Sequence, residues 1–389
     1  MDLAYTPEEE EFRSRLREWL RQALPTLPPK PSPDDWPGRR AYDLGWQRRL
    51  HDAGYGDVHW GASPTVRLIF LEETEKAGAP YVGAGFVGLL HAGPTIAAEG
   101  TAEQRARWLP PILRGDEVWC QGFSEPDAGS DLAALRTRAR RDGDDYVVSG
   151  SKIWTSHAEV ADWCELLVRT DPEASKHRGI SWLAMPMDAP GITVRPLKTL
   201  AGSAEFAEVF LDEVRVPVVN RVGAENDGWR VTMVTLSFER GTAFVGEVVA
   251  CRRVLRELAV EARKNGRWDD PVLRRRLGRL NAEFRALWRL TQWNVSEAMG
   301  VPPVERSRDW GRTGGVPGVG GSVFKLRYSH ARQELYDSAA DVLGPDSLDL
   351  DRSWVLDRLS SLSYTIAAGT SQIQRNIVAE RILGLPKGR

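Results

Sequence analysis

Ser363-Tyr364-Thr365-Ile366-Ala367-Ala368-Gly369-Thr370-Ser371-Gln372-Ile373-Gln374-Arg375-Asn376 lies close to the end of the chain and reads as the entry to a closing helix. Thr370 is a good N-cap, and Ile373 with Ile377 would form the helix's inner face. A helix start is also where anions dock, because its first N–H groups have no partner within the helix. Leu383-Gly384-Leu385-Pro386 then supplies a glycine C-cap followed by proline.

Working back from this segment, the pattern is helical from Asp227 onward. Val245, Val248, Val249, Leu255, Leu258 and Ala262 mark one apolar stripe. Leu273, Leu277, Leu280, Phe284, Leu287 and Thr291 mark the next, after a start at Asp270-Pro271. Residues 301–321 form a Gly/Pro-rich loop, and the whole C-terminal piece reads as a four-helix bundle. Residues 118–216 show short alternating segments broken by turns, with strands expected at 133–141, 181–187 and 208–211 and turns at Asp142-Gly143 and Pro190-Gly191. The first third is helical again. Thr6-Pro7-Glu8-Glu9 opens a helix, 28–37 is a Pro-rich loop, and helices resume at 43–53, 65–77 and 101–113. The expected fold class is α+β, mainly α, divided at 1–115, 116–222 and 223–389.

The 389 residues suffice for two or three domains, and a net charge of −2 gives no electrostatic reason to expect nucleic acid or an anionic membrane. No apolar run approaches the roughly 20 residues that span a bilayer. Cys120, Cys164 and Cys251 are widely spaced without a CxxC pair, so they read as buried thiols in a reducing, cytoplasmic setting.

Three further runs could carry chemistry. In Gln121-Gly122-Phe123-Ser124-Glu125-Pro126-Asp127-Ala128-Gly129-Ser130-Asp131, Gly and Pro hold an irregular turn. Its small side chains let backbone N–H groups approach a flat polar ligand, although a plain surface turn has the same composition. Gly150-Ser151-Lys152-Ile153-Trp154-Thr155-Ser156 places a Trp on a strand, more often core than a cofactor wall. Leu236-Ser237-Phe238-Glu239-Arg240-Gly241 opens the first long helix of the C-terminal region. Adjacent helical residues do not face each other, and Thr235, Leu236, Thr242 and Ala243 occupy the places one turn from Glu239. An ordinary intrahelical salt bridge is therefore denied to it.

Together with the C-terminal segment, these runs resemble the acyl-CoA dehydrogenases, flavoenzymes that oxidise an acyl thioester between its α and β carbons. The resemblance covers essentially the whole chain. It implies an N-terminal α domain, a middle β domain and a C-terminal four-helix bundle, with FAD as cofactor. By the same resemblance Phe123, Ser124, Gly129 and Ser130 contact the flavin, Trp154 packs against it beside Thr155, and Ser156 bonds near its N5. Thr370 and Gln372 match positions that approach the adenosine and phosphate portion. Many members carry the catalytic glutamate immediately before the Gly-Thr, where this chain has Ala368. In members resembling isovaleryl-CoA dehydrogenase the base sits at the position of Glu239. Ala368 would keep only its backbone N–H, one of the donors to the thioester oxygen. Arg240 would support the thioester tail, with Ser130 and Gly369 also on the substrate side. The base must lie across the substrate from the flavin, within hydrogen-bond reach of the α proton, and burial would raise its pKa toward the working range.

The implied partners are an acyl-CoA or carrier-protein-bound acyl thioester and an electron-transfer flavoprotein or similar acceptor. A homodimer or homotetramer is expected, with a heteromer as the other arrangement. Two departures stand out. Arg263-Lys264-Asn265-Gly266-Arg267-Trp268 replaces the Arg-x-x-Phe-Gly run with which homotetrameric members brace FAD in a neighbouring subunit. His59-Trp60-Gly61-Ala62 runs straight on where relatives have a longer loop near the substrate. A flavin monooxygenase on the same scaffold would need no base at Glu239. A non-catalytic partner subunit of a heteromeric complex would fit Ala368 and the missing Arg-x-x-Phe-Gly. The glycines of 314–321 lack the preceding strand and the Gly-Lys-Ser/Thr ending of a phosphate loop.

Overall fold

Cap chemistry sets the helix starts in the first third of the chain. Thr6 accepts from the Glu9 N–H while the Glu9 carboxylate accepts from the Thr6 N–H, opening helix α1 (Pro7–Ala23). Asp35 caps α2 (Trp36–Asp52) and Ser63 caps α3 (Pro64–Ala77). A short helix α4 (Gly93–Glu99) leads to α5 (Ala102–Arg114), opened by a second capping box of Thr101 and Gln104. Helix α2 begins at Trp36 rather than near residue 43. Pro37 sits in its first turn, where a missing N–H costs nothing, so the Pro-rich loop is shorter than its composition suggests.

The computed structural model describes residues 5–59, 61–241, 245–298, 320–350 and 353–386, and of 237–241, 245, 294–298 and 320 only the backbone. Trp60, Thr242, Ala243 and most of the Gly/Pro-rich 301–321 segment, including glycines 314, 315 and 318, fall outside the described residues.

The middle of the chain forms one sheet. Its strands are β1 (Trp119–Gly122), β2 (Arg138–Asp142), β3 (Asp145–Ser156), β4 (Trp163–Arg169), β5 (Ile180–Pro186), β6 (Ile192–Leu197), β7 (Phe206–Pro217) and β8 (Arg221–Val222). They run in the order β6-β7-β3-β2-β4-β5-β8, with β1 parallel to β4 off this path. The strand expected at 133–141 is shorter: residues 132–134 make one turn of helix and pairing starts only at Arg138. Asp142 and Asp145 close the β2–β3 hairpin, with Gly143 at φ +63°.

The rest is helical: α6 (Gly228–Gly241), α7 (Val245–Lys264), α8 (Pro271–Ala298), α9 (Gly320–Leu343), α10 (Ser353–Ser361) and α11 (Ser371–Ile377). The α7 and α8 stripes read from the sequence are buried: Val248, Leu258 and Ala262 on one helix, Leu280 and Phe284 on the other, are all 0% exposed. They share a single apolar core with Leu16, Leu20, Leu50 and Leu68 from α1, α2 and α3. The first helices therefore pack on the C-terminal bundle. Helices α4 and α5 instead join the core of the sheet through Ile96, Trp108 and Ile112. Cys120, Cys164 and Cys251 are buried free thiols. Among the described residues no helix is long and apolar enough to cross a membrane.

Two substitutions on α8 test this packing. Phe284, fully buried, should cost about 3–5 kcal/mol when changed to Ala. Val272→Ala, at a side chain 62% exposed, should stay within about 0.5 kcal/mol. Denaturant unfolding reads both, and equal losses would contradict the assigned inner face.

Candidate active site

The site grows from an irregularity in β3. Its pairing with β7 shifts register between Lys152 and Thr155, and within that shift Trp154 adopts φ +60°. A left-handed backbone is unfavourable for a bulky side chain, at roughly 1–3 kcal/mol, and a bulge re-aims the residue that carries it. Trp154 is 57% exposed, braced edge-on by Phe206 at 5.9 Å. The strand thus holds a large aromatic face outward. Thr155, the next residue, is wholly buried, and its Oγ1 has no hydrogen-bond partner among the described residues. The same holds for His157 Nδ1, one residue beyond Ser156. Burial, with Arg39 nearby, pulls the His157 imidazole down to about 4, so it is neutral at physiological pH.

A buried ion pair fixes the Ser-Glu-Pro turn against this strand. Glu125 accepts from Lys152 Nζ at 2.8 Å and from the N–H groups of Arg136 and Thr137 at 2.6 and 2.9 Å. Lys152 also donates to the Phe123 carbonyl at 3.2 Å, and the Ile153 N–H donates to the Ser124 carbonyl at 2.9 Å. Burial pushes the Glu125 carboxyl up, but the Lys152 charge and the donated hydrogen bonds outweigh it and hold the group below 4.5. Burial pulls the Lys152 ammonium down, opposed by the charge of Glu125. Phe123 is buried, Ser124 is half-buried, and Gly129 and Ser130 are exposed. A Cβ added at Gly129 would meet nothing within 4 Å, so the turn opens onto free space. Aromatic platform, open turn and unsatisfied buried polar atoms together suit a flat, polar ring system.

The segment at 363–376 is held by a second buried lysine. Lys325 on α9 donates to the carbonyls of Tyr364, of Ala367 at 2.8 Å and of Gly369 at 3.4 Å. Gln374 donates to the Ala368 carbonyl at 3.1 Å. Ala368 and Gly369 are both left-handed, at φ +51° and +82°, and a Cβ at Gly369 would lie 2.6 Å from the Gln374 amide nitrogen. Drawing these carbonyls inward leaves Ala368 exposed. Thr370 caps α11, accepting from the Ile373 N–H at 3.2 Å. The inner face of α11 is not Ile373 and Ile377, which are half-buried, but Ser371 and Gln374, because the helix packs on a polar turn. Gln372 is exposed.

The Leu236–Gly241 run does not open a helix as its sequence suggests but closes α6, which begins eight residues earlier at Gly228; Glu239 and Arg240 lie on its last turn, and their side chains fall outside the described residues. Thr235, one turn earlier, has its hydroxyl 2.9 Å from that of Thr95 on α4. The structure thus brings 123–130 together with 154–156, while 368–372 is positioned by a separate set of contacts. Sequence reading passed over Lys325, Gln374 and the Glu125–Lys152 clamp. The one available signal was a lone lysine between Phe324 and Leu326 on an otherwise apolar run.

Three family models match the chain: acyl-CoA dehydrogenase N-terminal domain at residues 6–116, middle domain at 120–214 and C-terminal domain at 226–383. The acyl-CoA dehydrogenase IpdE1 of Mycobacterium tuberculosis is 38% identical over 393 residues, spanning 97% of this chain and 98% of that protein. The solved structure of the Tcur3481-Tcur3483 steroid ACAD superposes with a TM-score of 0.80 at 30% identity, covering 100% of both chains. The ChsE4-ChsE5 complex from Mycobacterium tuberculosis gives 0.79 at 32% identity, again over 100% of both.

Removing either partner of the buried pair strands the other charge, so Glu125→Gln and Lys152→Met should each cost about 3–5 kcal/mol. The double variant should cost clearly less than their sum. Because the folded Glu125 carboxyl titrates below its ordinary value, its stabilising effect is present above about pH 4.5 and lost as pH falls through the folded pKa. Acid unfolding curves should flatten in Glu125→Gln; additive losses and unchanged curves would count against the clamp.

Proposed function

The chain belongs to the acyl-CoA dehydrogenase family, and on that premise we propose that it oxidises an acyl thioester to the 2-enoyl thioester, with Glu239 as the base. The observation that carries this reading is Trp154, held outward from the β3 bulge beside Thr155 and Ser156. A strained, exposed indole flanked by unpartnered polar atoms has a purpose as a wall for a flat cofactor. FAD, the family's cofactor, would supply the acceptor for the β hydride when bound there, its electrons leaving through an electron-transfer flavoprotein or similar acceptor.

In this reading Phe123, Ser124, Gly129 and Ser130 hold one edge of the ring system, while Trp154, Thr155 and Ser156 hold its face. Thr370 and Gln372, at the start of α11, meet the adenosine and phosphate portion. Glu239 takes the α proton, the α–β single bond becomes double, and the Ala368 N–H meets the charge that develops on the thioester oxygen. Arg240, Ser130 and Gly369 orient the thioester. Ala368 requires a base from elsewhere, and Glu239 is the acidic residue that the family places there. The domains would divide near residues 115 and 222.

A second arrangement is favoured by the ChsE4-ChsE5 and Tcur3481-Tcur3483 structures, each a pairing of two chains. This protein would then be the Glu-bearing subunit of a heteromer. The steroid relative supports a bulky, ring-bearing acyl group.

Anaerobic addition of a panel of acyl-CoA thioesters to the yellow protein should bleach its visible absorbance with one of them. Glu239→Gln should keep the flavin spectrum and lose turnover by about two to four orders of magnitude, the usual worth of a general base. A Glu239→Gln enzyme with full activity would remove Glu239 from the mechanism. A colourless protein that gains flavin only beside a second subunit would favour the heteromer.

A further inference from the structure

Ser156, which the dehydrogenase reading sets against the flavin, is the last residue of β3, and much of what fixes it comes from another part of the chain. Opposite it on β7 stands Phe206, and the next N–H, that of His157, donates to the Glu205 carbonyl at 2.9 Å. His157 then turns the chain away at φ +59°, a left-handed conformation that glycine adopts freely and a larger residue does not. Its ring lies 5.5 Å from that of Trp36, the buried first residue of α2. Trp36 in turn carries the Arg39 guanidinium 4.2 Å over its own ring. Arg40, on the same helix, donates to the Val160 carbonyl and, at 2.8 Å, to the Asp162 carboxylate, which also accepts from the Val118 N–H at 2.7 Å. The segment that follows Ser156 is therefore clamped from α2 at His157, Val160 and Asp162.

Nothing in the stability of this corner calls for a histidine. The left-handed backbone is costly for it, and its Nδ1 is buried with no hydrogen-bond partner among the described residues, which is a second cost. Glycine would escape both. What glycine would lose is the ring against Trp36, and with it a side-chain contact that ties the end of β3 to α2. On the other side of Ser156, Thr155 is wholly buried and paired with Ala207. Ser156 is thus held between a buried neighbour and a strained one. Strain kept at the edge of a site marks a geometry retained for that site, and the geometry here is that of Ser156.

We propose that His157 and Trp36 are positioning residues for the flavin: their ring contact sets the backbone of Ser156, and through it the hydrogen bond that Ser156 gives to the flavin edge. The inference rests on the dehydrogenase reading above and adds to it a helix, α2, that supplies none of the contacts proposed there. A donor at that edge favours the electron-rich reduced ring over the oxidised one. A displaced Ser156 should therefore weaken FAD binding and lower the flavin's reduction potential.

The test reads the flavin itself, without turnover. Wild type, His157→Gly and Trp36→Leu are stripped of flavin and titrated with FAD while flavin fluorescence is followed. The midpoint potential of each reloaded protein is then measured by equilibration with a reference dye. His157→Gly should bind FAD about tenfold more weakly. It should also shift the equilibrium about tenfold toward oxidised flavin, about 30 mV for a two-electron couple. Trp36→Leu should move both readouts in the same direction, and the double variant should go no further than the larger single change, because the two residues act through one contact. His157→Gly suits the left-handed backbone and keeps the test open where Trp36→Leu fails to fold. A His157→Gly protein whose thermal stability changes while Kd and potential stay at the wild-type values overturns the inference, as do additive shifts in the double variant. Anaerobic addition of acyl-CoA thioesters separates the two readings. Wild type that is bleached, with Kd and potential unchanged in His157→Gly, sinks the positioning role alone. FAD that is taken up but bleached by no thioester counts against the dehydrogenase reading, while Kd and potential still decide the positioning role.

Discussion

Lys152 is buried with Glu125 as its counter-charge, and the geometry of the sheet's working edge follows from that pair. Neither charge can be left alone in the interior, since an uncompensated buried ion costs several kcal/mol. Lys152 reaches Glu125 and the Phe123 carbonyl together only if the Ser-Glu-Pro turn folds back on β3. The Ile153 N–H then donates to the Ser124 carbonyl on the side of the turn, while the pairing with β7 skips between Lys152 and Thr155. The bulge at Trp154 therefore sits immediately beside the clamp, whose contacts help hold its strained backbone.

Lys325 does the equivalent work in the helical part. An irregular turn directs carbonyls inward with no ladder to receive them, and buried carbonyls need donors. A lysine ammonium supplies three donors from one point, which suits the three converging carbonyls of Tyr364, Ala367 and Gly369. In both places a cation from a regular element, strand β3 or helix α9, organises a loop remote in sequence. Precision comes from the rigid element and irregular geometry from the loop.

What the sequence made legible follows from range. Periodicity is local, so the α7 and α8 faces could be read directly, down to Thr291 at the end of the second stripe. Cap chemistry is also local, and Thr6 and Thr370 act as read. Failures came where a partner distant in the chain decided the outcome. Ile373 and Ile377 look like an inner face until the turn at 364–369 claims Gln374 and Ser371 for that side. Asp35 starts α2 inside what composition marks as a Pro-rich loop, because proline in a first turn is compatible with a helix. The motif residues at 123–130 and 154–156 were legible as candidates. The clamp that unites them joins positions 27 residues apart, and no spacing rule announces it.

Ala368 puts no carboxylate before the Gly-Thr, yet the backbone of the turn is held as firmly as a working site would need. A glutamate before the Gly-Thr would supply both a carboxylate and a backbone N–H from one residue. With alanine there, the residue can offer a ligand only its backbone groups, which act through their placement alone. Placement must therefore come from outside the residue. Ala368 sits at φ +51°, a conformation costing an L-residue roughly 1–2 kcal/mol. Hydrogen bonds from Lys325 to the preceding Ala367 carbonyl and from Gln374 to Ala368's own carbonyl each return about 1 kcal/mol or more, enough to hold the strained geometry. The turn is thus fixed from α9 and α11, while α6 has an anchor of its own where the Thr235 hydroxyl lies 2.9 Å from that of Thr95, so the two segments owe their positions to different contacts.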